Sequence, residues 1–427
     1  MIKLFLLTIL TAVYFQTTAQ DTLTVMHYNV LNYGNYTSYC TSANNNHEQK
    51  DLYLKTIVDY VNPHIFTVNE MGQYEFYHNR ILSEVLNKDG GNYFRKAAIT
   101  NIAGSYIINS LFYDSRKLVL HSQAVAQSYI RDINVYTLYY KHESLADGDT
   151  TFIHCVVAHL KASSGSSNER ARATMTSNTM NWLKNNLSPG NFLMMGDFNL
   201  YKSDEDAYQY LVNPLPANQA FRFYDPINKP GNWSNNSSFS GIHTQSVSST
   251  GNGCQASGGM DDRFDFILAS QKIMQGTNNV SYIPESYKAL GQDGKHFNTS
   301  ITAPPANTIV PADVLNALGN NSDHLPVVLK LRISTGPTGI RNNFSEIVSA
   351  TVLYSGDERH LNINSLKEQK VRIRIIDLAG SVVISQEVSL FQGNNAIQIA
   401  SENLAKGMYL LDLTNQKGNS LTLKMMR

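Results

Sequence analysis

The apolar runs between Leu23 and Ile333 are too short and too regularly broken for anything but β-strands. They read "TLTVMHYNVL", "HIFTVNE", "SLFYDS", "NVYTLYYKH", "TFIHCVVAHLK", "NFLMMGDFN", "RFDFILAS" and "LPVVLKLRI". Between them lie stretches with helical spacing: "DLYLKTIVDYV", "EFYHNRILSEVLNK" and "NERARATMTSNTMNWLKNN", the last halted by Ser-Pro-Gly. Many strands with helices interspersed predict two packed sheets covered by helices, an α+β fold. Polar segments over 225–263 and 290–322 are read as long loops, which inside a compact domain are usually functional.

The pattern changes after Ile333. "STGPTGIRN" is a break rich in turn formers, and beyond it "KVRIRIIDL", "SVVISQEVSL", "NAIQIA", "GMYLLDLTN" and "SLTLKMM" alternate with period two. The expected organisation is a mixed domain over 20–334, a linker over 335–344 and an all-β sandwich over 345–427. Ahead of these, "MIKLFLLTILTAVYFQTTAQ" has one lysine, an apolar run from Leu4 to Phe15 and a small residue at Ala19. It reads as a signal peptide over 1–19, removed before Gln20. No other stretch is apolar and long enough to span a bilayer, so a secreted or cell-surface protein is expected.

Export permits a disulfide. Cys155 lies inside an apolar strand and is expected to be a buried thiol. Cys40 and Cys254 lie in polar loops and are candidates for pairing, and the spacing fits no zinc site. The charge balance is neutral, with 34 Lys+Arg against 34 Asp+Glu. Residues 20–334 alone carry 23 basic against 26 acidic side chains, a net of −3, so an anionic substrate would have to be held locally.

Polar side chains sit where strands end or begin. They are Asn29, Glu70, His159, Asp197 and Asn199 of "GDFN", Asp265 of "RFDFIL", and Asp323 with His324 of "SDHLPVVL". Singly, such residues are mostly turn formers. Converging, they would crowd carboxylates, amides and imidazoles into one pocket, which a hard divalent cation would stabilise. Oxygen donors without thiolate suit Mg²⁺, with Mn²⁺ or Ca²⁺ of the same class.

The series Asn29, Glu70, "AHLK", "GDFN", "DDRFDFIL" and "SDHLPVV" resembles the endonuclease/exonuclease/phosphatase superfamily, which includes deoxyribonuclease I. The resemblance covers about residues 23–333. It implies a four-layer α/β/β/α sandwich and metal-dependent hydrolysis of phosphate esters. Carried over, it implies metal binding by Glu70 with Asn29 and Asp323. Asp197 would orient or deprotonate the attacking water, and Asn199 would hold the phosphate. His324 would bond that phosphate or move protons, oriented by Asp265, and His159 would be a second imidazole stabilising charge. Asn109 is the one candidate partner for His159, and Lys161 with Arg170 or Arg172 would reach a phosphate.

The tail, with "VRIRIIDLAGSVV" and "GMYLLDLTNQKGNSLTLKMMR", resembles the C-terminal sorting domain of the type IX secretion system of Bacteroidetes. That implies the outer-membrane secretion machinery as a partner; no stable protein partner is otherwise expected. The resulting expectation is an exported hydrolase acting on nucleic acid. The alternatives are a sphingomyelinase-like phosphodiesterase of lipid head groups or small esters, and a binding protein without catalysis. A lipid enzyme would show exposed aromatic or aliphatic docking loops, and the aromatic rings of the 225–260 segment are only Trp233 and Phe239, amid Asn and Ser.

Overall fold

In the computed structural model, residues 20–142, 150–334 and 346–427 are described, apart from 356–357, 378–379, 403 and 417–418. The signal peptide expected over 1–19 and the linker expected over 335–344 lie outside the described residues. Gln20–Ser334 forms one compact unit, and the described residues from 346 onward belong to a second.

Among its described residues the first unit contains thirteen strands: β1 (Gln20–Tyr33), β2 (Ile65–Gly72), β3 (Phe94–Lys96), β4 (Ile107–Asp114), β5 (Leu118–Gln127), β6 (Ile133–Tyr140), β7 (Phe152–His159), β8 (Phe192–Asp197), β9 (Phe223–Tyr224), β10 (Asp265–Ser270), β11 (Val280–Tyr282), β12 (Lys288–Ala289) and β13 (Val327–Ser334). Its helices are α1 (His47–Val61), α2 (Glu75–Arg80), α3 (Ser166–Asn186), α4 (Asp206–Val212), α5 (Gln271–Gln275) and α6 (Ala312–Asn321). One sheet has the order β11-β13-β1-β2-β4-β3, with β12 also on β13. The other has the order β5-β6-β7-β8-β10-β9.

Each sheet is built on the same plan. A parallel central pair, β1 with β2 or β7 with β8, is joined by a crossover containing α1 or α3. An antiparallel strand flanks each side. The crossover length of parallel strands accounts for the helices lying on the outer faces. Leu23 and Val25 of β1 face the other sheet, in a core shared with Cys155, Leu193 and Ile267. Met26, Tyr28 and Val30 face the opposite way, toward Leu54 of α1 and Leu318 of α6. A third core places Met175 and Met180 of α3 against Val156, Met194 and Phe266 of the second sheet. The layers therefore run helix, sheet, sheet, helix. Strands buried on both faces lose the polar alternation of a half-solvated strand, hence the continuous apolar runs.

Helix α1 starts at His47 because the Asn46 side chain accepts from the N–H groups of Glu48 and Gln49. It stops at Asn62, which is left-handed and precedes Pro63. The segment over 290–322, expected to be loop throughout, ends in α6, where Val314, Leu315, Ala317 and Leu318 are buried.

The second unit consists of β14 (Ile347–Ser355), β15 (Glu358–Ser365), β16 (Gln369–Ile376), β17 (Val382–Leu390), β18 (Gly393–Ile399), β19 (Met408–Asn415) and β20 (Ser420–Met426). They form a three-stranded sheet β14-β15-β18 and a four-stranded sheet β17-β16-β19-β20. Leu361, Ile363 and Ile399 of the first sheet share one core with Ile373, Leu411 and Leu413 of the second. This is a small all-β sandwich.

Candidate active site

The architecture dictates where the strand-end residues go. β1 and β2 run parallel, so Asn29 and Glu70 approach the same edge of the first sheet. β7 and β8 run parallel, with His159 opposite Asp197. β10 is antiparallel to β8, so its first residue, Asp265, pairs with Asp197. β13 is antiparallel to β1, with Val327 opposite His27, which brings the preceding Asp323 and His324 to that edge. All eight predicted side chains meet at one end of the sandwich.

Local backbone features aim them. The β1–β2 register shifts after Asn29 and the β2–β4 register after Val68, and Glu70 has a φ of +62°. Such irregularities redirect side chains that a regular pleat would send into a sheet face. Gly196 precedes Asp197 because a Cβ there would lie 1.7 Å from the Ala158 carbonyl oxygen. Asn199, at φ +51°, follows the turn, and its N–H donates to Asp197 Oδ1 at 3.0 Å.

Asn29 is the hub. Its Nδ2 donates to Glu70 Oε1 at 3.1 Å and to Asp197 Oδ2 at 3.0 Å, and lies 3.4 Å from His324 Nε2. Glu70 Oε2 accepts from the Asn32 N–H at 3.0 Å. His324 Nδ1 lies 2.7 Å from Asp265 Oδ2, while its Nε2 is 3.8 Å from Asp197 Oδ2. His159 Nε2 stands 3.5 Å from Asp197 Oδ2 and 3.9 Å from Glu70 Oε1. Asn199 Nδ2 donates to the Leu160 carbonyl at 3.4 Å.

Burial and charge separate the two imidazoles. For His324 burial opposes the proton, but Asp265, Asp197 and Asp323 outweigh it and hold the pKa well above its ordinary value. For His159 burial dominates, and Arg131 and His324 add to it, so this ring is held well below. Burial lifts the Asp197 carboxyl to about 7, against the pull of His324 and with Asp265 and Glu70 pushing the same way.

Ligand atoms of Glu70, His159 and Asp197 all lie within 4.8 Å of one another. Asp323 is outside that group. Its Oδ2 accepts from the Ala256 N–H at 2.9 Å and from Gln245 Nε2 at 3.3 Å, and its buried Oδ1 has no hydrogen-bond partner. Two carboxylates and an imidazole crowded this closely form a candidate metal site at Glu70, His159 and Asp197.

Three contributors lie outside the motifs. Gln245 Nε2 is 2.7 Å from His324 Nε2. Lys50 is buried, and its ammonium donates to the carbonyls of Leu31 and Asn321 and to Asn45 Oδ1, tying together three segments behind the acids. Arg131 donates to the Leu160 carbonyl and feels the charges of Glu70 and Asp197. None sits at a strand end, so the pattern that exposes the others passes over them.

Some carried-over candidates go elsewhere. Asn109 donates to the backbone of Asp132 and Val157 and to Asn134, and accepts from Asn69, whose own oxygen accepts the Asp197 N–H. It supports Asp197 at one remove, with no hydrogen bond to His159. Arg172 is buried against Glu205 at 2.7 Å and donates to the carbonyls of Lys161 and Ser163, so it is a structural ion pair. Trp233 is fully buried. Cys40 and Cys254 are joined in a disulfide, and Cys155 is a buried thiol.

No curated protein matches the sequence. Similar solved structures include an endonuclease/exonuclease/phosphatase family protein from Bacteroides thetaiotaomicron, at 12% identity over 74% of this chain and 97% of that one, with a TM-score of 0.45. Another is D. rerio TDP2 complexed with single strand DNA product, at 12% identity over 73% and 99%, TM-score 0.44. A third is the human Nocturnin catalytic domain with bound sulfate, at 14% identity over 73% and 97%, TM-score 0.44. At the other end of the chain, residues 357–426 match the family model described as the secretion system C-terminal sorting domain.

Proposed function

We propose that residues 20–334 are an exported phosphodiesterase acting on nucleic acid, delivered outside the cell through the C-terminal unit. One observation carries the catalytic part: Asp197 stands between two imidazoles whose surroundings shift their pKa values in opposite directions, His324 backed by Asp265 at 2.7 Å and the buried His159. Separated pKa values in one pocket are what acid–base chemistry at phosphorus requires.

In this reading Asp197 accepts a proton from the attacking water; its carboxyl, lifted to about 7, is matched to that task. The water oxygen bonds to phosphorus as the bond to the leaving ester oxygen breaks, and that oxygen leaves with the bonding pair and takes a proton from solvent. His324, held protonated by Asp265, donates to a phosphoryl oxygen. Asn199 and neutral His159 bond the remaining oxygens, and Arg131 adds a fixed positive charge. Glu70, with Asn29 and Asp323 directly or through water, would hold Mg²⁺, which supplies Lewis-acid stabilisation of the anionic oxygen. Local cations of this kind let a domain of net −3 handle a polyanion.

The test is a panel of plasmid DNA, RNA, bis-p-nitrophenyl phosphate and sphingomyelin, each with Mg²⁺, Mn²⁺ or Ca²⁺ and with chelator. Metal-dependent cleavage of DNA or RNA is expected. Full activity in chelator would remove the metal, and cleavage of sphingomyelin alone would reassign the substrate.

A further inference from the structure

The rim of the site carries a row of exposed aromatic side chains. Beyond Glu70, β2 leads into Tyr74, which is 66% exposed. β4 pairs with β2, Ile107 opposite Gly72, so Tyr106, 74% exposed, lies at the same sheet end. In the other sheet, β6 pairs Asn134 with Val157, which sets Tyr129, 61% exposed, and Arg131 beside the His159 end of β7. The 97–106 segment joins the two sheet ends. Asn101 donates to Gln73 Oε1 at 3.3 Å, and the N–H groups of Ile102 and Ala103 donate to the Asp132 carboxylate at 2.8 and 2.9 Å. Ile102 is itself exposed, and Tyr36 and Phe76, both in ring contact with His47, are exposed too. Single exposed apolar residues are ordinary, but six on neighbouring segments, linked by the hydrogen bonds above and by the His47 ring contacts, are not.

We infer that this strip is a stacking track for the bases of a single-stranded nucleic acid, placed so that its phosphates pass Arg131 on the way to Asp197. The inference deepens the functional reading above and rests on it. Aromatic rings stack on any base, because every base has a π-face. A duplex hides its base faces, so only an unpaired strand can use them. Four of the six are tyrosines, whose hydroxyls keep a wet edge. Exposed Glu75 lies between Tyr74 and Phe76 and pairs with Lys96 at 2.9 Å. Sinking the strip into a bilayer would drag that carboxylate into the interface, whereas a stacked base leaves it in water. With a net charge of −3 the domain lacks a broad basic footprint, so stacking supplies affinity that backbone tracking cannot.

The test uses the full chain carrying His324→Ala, so that oligonucleotides are bound rather than cut, and reads fluorescence anisotropy. The probes are labelled oligothymidylates (dinucleotide, pentamer and decamer) and a duplex. Affinity should rise with length and favour the single strand. Adding Tyr74→Ala and Tyr106→Ala should weaken the decamer about 10-fold or more, while Tyr74→Phe with Tyr106→Phe should restore it. Unchanged decamer affinity in the alanine pair, or preference for the duplex, would overturn the track. So would sedimentation with phosphatidylcholine–phosphatidylserine vesicles that the alanine pair abolishes while oligonucleotide binding is untouched. Failure of the unsubstituted protein to cleave any nucleic acid would instead overturn the reading beneath it.

Discussion

At the scale of single residues, the site works through contrast between like groups. His324 and His159 are both buried beside Asp197, yet burial, with Arg131 adding to it, drives the His159 pKa down, while Asp265 and its neighbours overcome burial at His324 and drive that one up. His324→Ala and Asp197→Asn should each lower turnover by roughly 10²-fold or more, measured on bis-p-nitrophenyl phosphate, if acid–base work and charge stabilisation are theirs. Near-normal turnover in both would strip them of those roles. A third histidine gives a prediction about stability instead. His296 Nδ1 lies 2.8 Å from Asp293, and its Nε2 lies near the carbonyls of Ala303 and Pro305. Burial works against the His296 proton, but these partners prevail and raise its pKa; burial also opposes the Asp293 charge, which His296 and the Lys295 N–H outweigh. The raised histidine stabilises below its unfolded pKa and loses this as pH climbs through the folded value. The depressed aspartate stabilises above its unfolded pKa and loses this as pH falls through the folded value. The pair is therefore most stabilising between about pH 4 and pH 6.5. His296→Gln should cost more stability at pH 5.5 than at pH 8.5 in denaturant melts, and an equal cost at both would show the ring is not charged.

At the scale of elements, the strands place the chemistry and the loops hold it. The Cys40–Cys254 disulfide joins the β1–α1 loop to the segment carrying Gln245 and Ala256, both bonded to Asp323. Asn44 and Asn252 reinforce the junction by each donating to the other's backbone carbonyl. Replacing both cysteines with serine should destabilise the unit by about 2–4 kcal/mol, seen as a lower denaturation midpoint with an intact near-UV spectrum. No change in midpoint would mean that the asparagines and the loop backbones suffice. These ties explain what the sequence exposes and what it hides. Asp197, Asp265 and His324 are visible because each interrupts an apolar run whose neighbours must be buried. Glu70 is visible for the same reason, although its left-handed backbone is not. Gln245, Lys50 and Arg131 act through carbonyls and side chains far away in the chain, and nothing periodic marks the segments they occupy. The helix over Ala312–Asn321 was hidden for another reason: its apolar stripe is short and is embedded in Pro, Asn and Thr.

At the scale of the whole chain, two facts set the candidate site apart from the C-terminal sorting unit. The site draws on residues from Asn29 to His324, so no shorter part of the first unit can contain it. The second unit closes its own core from Leu361, Ile373, Leu411 and other residues of its two sheets, and contributes none of the eight strand-end side chains. Each unit buries an apolar interior of its own, which is the condition for folding as a domain. Export and hydrolysis should therefore be separable by truncation. Expressed with residues 1–19 in a host that has the cognate secretion machinery, a chain lacking 335–427 should keep its activity in lysate. It should disappear from the cell surface and medium, as read by immunoblot of fractions. Normal appearance outside the cell would deny the tail its sorting role. Loss of activity in the lysate would show instead that the sandwich supports the fold of the catalytic unit.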